Sequence, residues 1–339
     1  MPVAYVTEPG ATIQKSGRSL RVVKEGQVLA EWELIHLQSL VLIGPINMTT
    51  PAMTALLEAG VETAFLRSDG RLIGQLTPPK AGNVNLRMAQ YRLSLDPAAR
   101  LVHARAIVDA KIAAMLDVLS RYADNYPELA LEEPRRRLKE TRAAAAQADA
   151  IPRLMGFEGQ AAAVYWGAFA LLNRSGLPFD GRSARPPRDP VNTLLSFGYV
   201  MLANEIWSLL DAMGFDPYLG LYHETTTNRP SLALDLMEPL RHSLVDRMVL
   251  RCINLGQFKA ADFTPAEQGG YHLSRDALRR FIGEYERAMQ SVAVDGEVRC
   301  GWRELLRRRC EALGRSLTSG SGTMQACFAA TDIEAEADG

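Results

Sequence analysis

The sequence predicts an α+β protein. A small β-rich, β-sandwich-like N-terminal domain spans residues 1–80, a larger all-α domain carrying a metal site spans 81–317, and a flexible acidic tail covers 318–339. Three observations carry this reading. Short β-branched and apolar runs, broken by glycine and turn residues, fill the first 80 positions. Beyond the hinge-like Pro78-Pro79-Lys80-Ala81-Gly82, apolar residues recur at spacings of three and four. From Thr318 the chain passes through Ser319-Gly320-Ser321-Gly322 to Asp332, Glu334, Glu336 and Asp338 with no base among them.

Taken in order, Ala4-Tyr5-Val6, Ser19–Val23, Gln27–Trp32 and Ser39–Ile43 read as strands, and Lys24-Glu25-Gly26 joins two of them as a hairpin. A helix begins near Thr50-Pro51 and stops at Gly60, with proline in the first turn and glycine after the last. Val61–Leu66 and Leu72–Leu76 resume as strands. Helical periodicity then covers 98–122, 128–147, 149–173, 190–213, 230–254, 275–291 and 301–317.

The 339 residues are enough for two domains and a sizeable core, and 47% hydrophobic with 23% charged residues is ordinary for a globular protein. No apolar stretch reads as a membrane span, and the opening Met1-Pro2-Val3-Ala4-Tyr5-Val6 lacks the basic-then-apolar layout of a signal peptide. A cytoplasmic protein is therefore expected. Cys252, Cys300, Cys310 and Cys327 form no CxxC pair and read as buried or idle thiols. The net charge of −1 argues weakly against nucleic acid, yet without the four tail acids the body stands at +3. Only six of the 38 basic residues are lysine, a bias that suits phosphate binding and also GC-rich coding.

Glu158 is the only charge in the apolar run 157–172. Such a carboxylate is paired, protonated or metal-bound, or else it is a helix-start residue favoured by the dipole. His223 closes the turn Gly214–His223, where it serves chemistry, is structural or is merely exposed. Asp235, Glu238, Arg241 and His242 share one helix face opposite Leu232, Leu236, Leu240 and Leu244. That face is either a solvated stripe with local ion pairs or a site with Glu238 on a metal and Asp235 and Arg241 in support. Two carboxylates and an imidazole suit a hard divalent ion that polarises phosphate oxygens. Gly181–Pro190 is a basic, proline-stiffened loop capped by Asp189, either a connector or a phosphate cradle. Arg135-Arg136-Arg137 and Arg307-Arg308-Arg309 are further basic runs, each a solvated face or a DNA contact.

Four blocks jointly resemble the CRISPR-associated endonuclease/integrase of spacer acquisition, the Cas-one family. They are Gly156-Phe157-Glu158-Gly159 with Tyr165; Arg185–Asn192 with Leu194, Ser196 and Tyr199; Gly214–Gly220 ending in His223; and Arg229–Glu238 with Arg241 and Asp246. The motif style is most similar to the type I-C branch. The resemblance implies metal ligands and catalytic residues at Glu158, His223 and Glu238, and Mg²⁺ or Mn²⁺ as cofactor. It implies insertion of short foreign DNA (spacers) into a CRISPR repeat array by 3′-hydroxyl attack on a phosphodiester. Asp235, Arg185, Arg188, Asn192 and Arg241 are the supporting or DNA-binding candidates. The implied partners are a short duplex prespacer, the CRISPR repeat, a second copy of the chain through the β domain, and the small companion protein (Cas-two), with no membrane. A general metal-dependent nuclease on branched or single-stranded DNA, a non-catalytic DNA scaffold and a helical interaction module are the alternatives.

Overall fold

The turn Glu25-Gly26 shows how local chemistry sets the first sheet. Both residues have positive φ (51° and 79°), the backbone that a tight two-residue hairpin requires. The computed structural model describes residues 3–68, 70–78, 83–184, 186–226, 229–266, 269–319, 327–329 and 331–333. Its first compact unit comprises Met1–Ala81 together with His272–Ile282, a later segment that the division at residue 80 does not include. The strands are β1 (Val3–Val6), β2 (Thr12–Ser16), β3 (Ser19–Lys24), β4 (Gln27–Glu33), β5 (Ser39–Ile43) and β6 (Asn47–Met48). Helix α1 (Thr50–Glu58), β7 (Glu62–Leu66) and β8 (Leu72–Leu76) follow.

One sheet runs β1-β5-β7-β8 and the other β4-β3-β2-β6. Alternate residues Ala4, Val6, Leu40 and Leu42 from the first meet Ile13, Leu20 and Val22 from the second, with Leu56 of α1, in one core. This two-sheet packing is the sandwich-like arrangement expected. Glu8 anchors the unit's edge, taking Lys24 at 2.5 Å and Arg279 at 2.8 Å.

The second unit, Gly82–Tyr271 with Gly283–Gly339, is mostly helical. It holds α2 (Val84–Ser94), α3 (Pro97–Asn125), α4 (Glu132–Ala146), α5 (Ile151–Leu172), α6 (Pro190–Ala212), α7 (Ser231–Arg241) and α8 (Arg247–Asn254). Short strands β9 (Phe263–Pro265) and β10 (Tyr271–Leu273) precede α9 (Arg275–Gln290). The hairpin β11 (Val292–Asp295) and β12 (Val298–Gly301) then leads to α10 (Trp302–Ser319) and β13 (Asp332–Ile333). Asp96 caps α3 by accepting from the amides of Ala98 (2.9 Å) and Ala99 (3.1 Å), and Pro97 occupies its first turn. The expected single helix 230–254 is interrupted: Pro239 lacks an N–H, and the turn at His242–Asp246 widens to π geometry between α7 and α8.

Three further readings change. Helix α2 and the hairpin β11–β12 were not anticipated, because α2 follows a Pro-Gly stretch and carries little apolar periodicity. Helix α6 is long and apolar enough to cross a membrane by length and composition, but it is a core helix here, with Asn192 and Asp211 among its buried residues. The described part of the tail is not free: Cys327 and Phe328 are buried, Arg309 donates to Thr331 at 2.6 Å, and β13 pairs with β11. The cysteines are all unpaired, and burial pushes the Cys252 and Cys310 thiols up to about 12, so they stay protonated.

Phe328→Ala is expected to lower stability in urea by about 3 kcal/mol, the cost of emptying a buried aromatic site. A loss near zero would mean that this segment contributes nothing to the core.

Candidate active site

The site is built where α3, α5 and α7 pack together. Helix α3 presents Ala104, Ile107, Val108, Ile112, Met115 and Leu119 to the core, and Lys111 falls on the same buried stripe. A buried ammonium must find counter-charges. It finds two: Lys111 Nζ contacts Glu158 Oε1 of α5 and lies 2.7 Å from Glu238 Oε2 of α7. Helix α5 begins at Ile151, so Glu158 stands two turns inside it and gains nothing from the helix end. The helix-start explanation of Glu158 therefore fails.

Glu238 is held by a second cation, Arg241 Nε, at 3.3 Å. Arg241 in turn lies over the Tyr199 ring, 5.1 Å from its centroid. Burial acts most strongly on the Glu238 carboxyl and pushes its pKa up, but Arg241, Lys111 and His223 together outweigh it and hold the group well below its ordinary value. The neighbouring Tyr222 hydroxyl shifts the other way, raised first by burial and then by the charges of Glu158, Glu238 and Asp235. Asp235, Glu238 and His242 are buried, which overturns the solvated-stripe reading of that helix face.

His223 is placed by Asp235. The Asp235 carboxylate accepts the amides of Leu221 (2.6 Å), Tyr222 (2.9 Å) and His223 (3.0 Å), and its Oδ1 also takes the His223 ring at Nδ1, 2.6 Å away. The turn can wrap so closely because residue 220 is glycine. A Cβ there would come within 2.6 Å of the His223 carbonyl oxygen and 2.7 Å of Ser231 Cβ. A carboxylate only accepts, so His223 Nδ1 carries a proton, and in the neutral ring Nε2 is the nitrogen left to bind an ion. That nitrogen faces Glu238 Oε1 at 4.0 Å. The separation is too long for a hydrogen bond, and one divalent ion with ligand distances of about 2.0–2.1 Å can span it.

Lys111 thus links Glu158 to Glu238, and Glu238 in turn faces His223. Among the described residues, however, no three His, Cys, Asp or Glu side chains already form a metal cage. The donor set fits a hard divalent ion: two carboxylates, and an imidazole with its tautomer fixed by a buried aspartate. Of the other candidates, Arg241 is tied to Glu238, and Arg188 is exposed on the loop before α6. Arg185 lies outside the described residues. Asn192 is fully buried. It accepts from Arg182 (2.8 Å) and the Ser183 amide (2.9 Å) and donates to the Gly181 carbonyl (2.8 Å), so it shapes the loop. The basic runs 135–137 and 307–309 are largely neutralised. Arg135 and Arg136 pair with Glu132, Glu133 and Glu140, Arg307 and Arg308 pair with Glu304, and Arg309 is buried beside Asp295.

Sequence reasoning missed Lys111. The available signal was a charged residue on the apolar stripe of α3, in the run Ile107–Met115. A second buried network supports Arg241. Asp246 accepts from the Tyr165 hydroxyl (2.8 Å), the Tyr199 hydroxyl and His242 Nδ1 (2.7 Å), and the Arg241 Nε lies 3.4 Å from His242 Nε2.

Residues 4–287 match the family described as CRISPR associated protein Cas1. The Geobacter sulfurreducens CRISPR-associated exonuclease Cas4/endonuclease Cas1 fusion is 34% identical over 324 residues, covering 93% of this chain and 58% of that protein. The Thermus thermophilus CRISPR-associated endonuclease Cas1 3 is 36% identical over 286 residues, covering 84% of this chain and 83% of the relative. The chain thus spans only 50–58% of the curated fusions it matches. Among solved structures, a Cas6-RT-Cas1–Cas2 complex contains a chain with TM-score 0.82 and 26% identity, covering 97% of this chain and 36% of that one.

The depressed Glu238 carboxyl makes a pH prediction. A carboxyl lowered on folding lends stability that is full above its unfolded value of 4.5 and drains away as pH falls toward the folded one. The urea stability of wild type minus Glu238→Gln is expected to stay flat from about pH 6 to 8 and to fall below about pH 4.5. A difference that grows on acidification would contradict the ion pairs described.

Proposed function

This chain belongs to the Cas1 family of CRISPR-associated proteins, and from that premise we propose that it is a metal-dependent DNA endonuclease and integrase acting in spacer acquisition. The observation that carries the proposal is that Glu238 faces His223 and shares the Lys111 ammonium with Glu158, which links the three from separate stretches of sequence. These three residues would hold the ion, Mg²⁺ or Mn²⁺. When bound, it would supply Lewis-acid stabilisation of charge on the phosphate and on the leaving oxygen.

The chain's own residues do the rest. Asp235 holds the proton on His223 Nδ1, so that Nε2, 4.0 Å from Glu238 Oε1, is the nitrogen that would take the ion. Arg241, stacked on Tyr199, keeps Glu238 ionised and oriented. Exposed Arg188 provides a cation for backbone phosphate on the loop ahead of α6. In strand transfer, the 3′-hydroxyl of a short DNA attacks phosphorus in the repeat, a new P–O bond forms, and the bond to the departing 3′-oxygen breaks. One phosphodiester replaces another, so no energy-rich cofactor is needed. The same centre using water would hydrolyse a strand.

The proposed partners are duplex DNA, the CRISPR repeat, a second copy of the chain and the companion Cas2, which a structural relative's name includes. The proposed site of action is the cytoplasm, and the style of the motifs supports the type I-C branch. The division into a β-rich dimerisation domain and a helical catalytic domain is part of the same proposal.

A labelled short duplex incubated with Cas2 and a plasmid bearing the repeat tests it. Joined product is expected with Mg²⁺ or Mn²⁺ and not with chelator. His223→Ala should lower joining by at least about 100-fold while the circular dichroism spectrum is unchanged. A folded His223→Ala protein that joins DNA at the wild-type rate would overturn the assignment.

A further inference from the structure

We infer that the Lys111 ammonium is the resident counter-cation of Glu158 and Glu238, and that a divalent ion takes up these carboxylates by displacing it. The inference rests on the metal-site reading above and adds a competing group to it.

Three observations carry it. Lys111 is buried, and its ammonium has two carboxylates from two other helices as partners. A lysine placed for packing alone would cost the fold, so its charge has a use at this point. The positions also exclude each other. Nζ lies 2.7 Å from Glu238 Oε2 and touches Glu158 Oε1, whereas a small divalent ion sits about 2.0–2.1 Å from its oxygens. An ion binding both of these oxygens would overlap the ammonium. Finally, the two cations beside Glu238 differ in freedom. Arg241 is fixed by the Tyr199 ring, the Glu238 carboxylate and His242, while Lys111 carries a compact charge on a flexible four-carbon stem. Lys111 is the one built to leave.

The arrangement gives the chain a folded core before any ion arrives. Two carboxylates drawn together in a buried cleft repel each other, and the ammonium cancels that repulsion during folding. The ion then replaces one cation with another of higher charge. In this respect the site differs from a structural zinc site, where folding waits for the metal.

Free Mn²⁺ measured by electron paramagnetic resonance, at fixed ionic strength, tests the inference in wild type, Lys111→Met, Lys111→Gln and Glu238→Gln. Removing the competing charge is expected to tighten Mn²⁺ binding by about tenfold or more in both Lys111 variants. Without Mn²⁺ both should melt below wild type, and saturating Mn²⁺ should close that gap. Lys111→Gln keeps a polar N–H in place and guards against a Lys111→Met protein too weak to fold unaided. If neither variant binds Mn²⁺ more tightly than wild type, the competition does not exist and the inference fails. If wild type and Glu238→Gln bind Mn²⁺ alike, the metal-site reading fails first, and this inference with it.

Discussion

The buried ion cluster of Lys111 with Glu158 and Glu238 is the constraint on which the rest of the site depends. One ammonium fastens α3, α5 and α7 at a single point. Moving any of the three helices would leave a charge without a partner in a low-dielectric interior, at a cost of several kcal/mol. The cluster therefore fixes the position of its carboxylates more tightly than apolar packing alone. It also sets the sign of the cleft. Glu158, Glu238 and Asp235 against Lys111 and Arg241 leave a formal charge of −1, which favours cations and, without one, repels phosphate.

Around this cluster the supporting groups are held by hydrogen bonds. Asp235 is encircled by the turn Leu221–His223, and Gly220 makes room for the closure. Asp246 collects two phenols and an imidazole at the π turn. Tyr199, which donates to Asp246, is the ring on which Arg241 rests. A chain of contacts thus runs from the widened turn, through Arg241, to Glu238. Widened turns of this kind are frequent at functional sites.

What could be read from the sequence follows from the range of the interactions. The hairpin at Glu25-Gly26 and the start of α3 at Asp96-Pro97 are set within four residues, so local chemistry names them. The long helices are legible because their buried stripe repeats along each one. The shared face of Asp235, Glu238 and Arg241 was visible in the spacing, but its burial was not, because that depends on α3 arriving from more than 100 residues earlier. Lys111 was invisible for the same reason: its partners lie 47 and 127 positions away. The inward turn of the Asn192 amide, which organises Gly181 and Ser183, has no local signal in the sequence around it. The pairing of β13 with β11 joins segments about 40 residues apart, and no local signal in an acidic, glycine-rich stretch announces it.

In the proposed site, Glu158, His223 and Glu238 hold one divalent ion, and Lys111 gives way to it. Crystals grown with Mn²⁺ and measured at the manganese absorption edge address this directly. One strong anomalous peak is expected within about 2.3 Å of His223 Nε2 and of oxygens from both glutamates, with the Lys111 ammonium moved off them. A peak bound elsewhere, or no peak with Lys111 still between the carboxylates at saturating Mn²⁺, would contradict it.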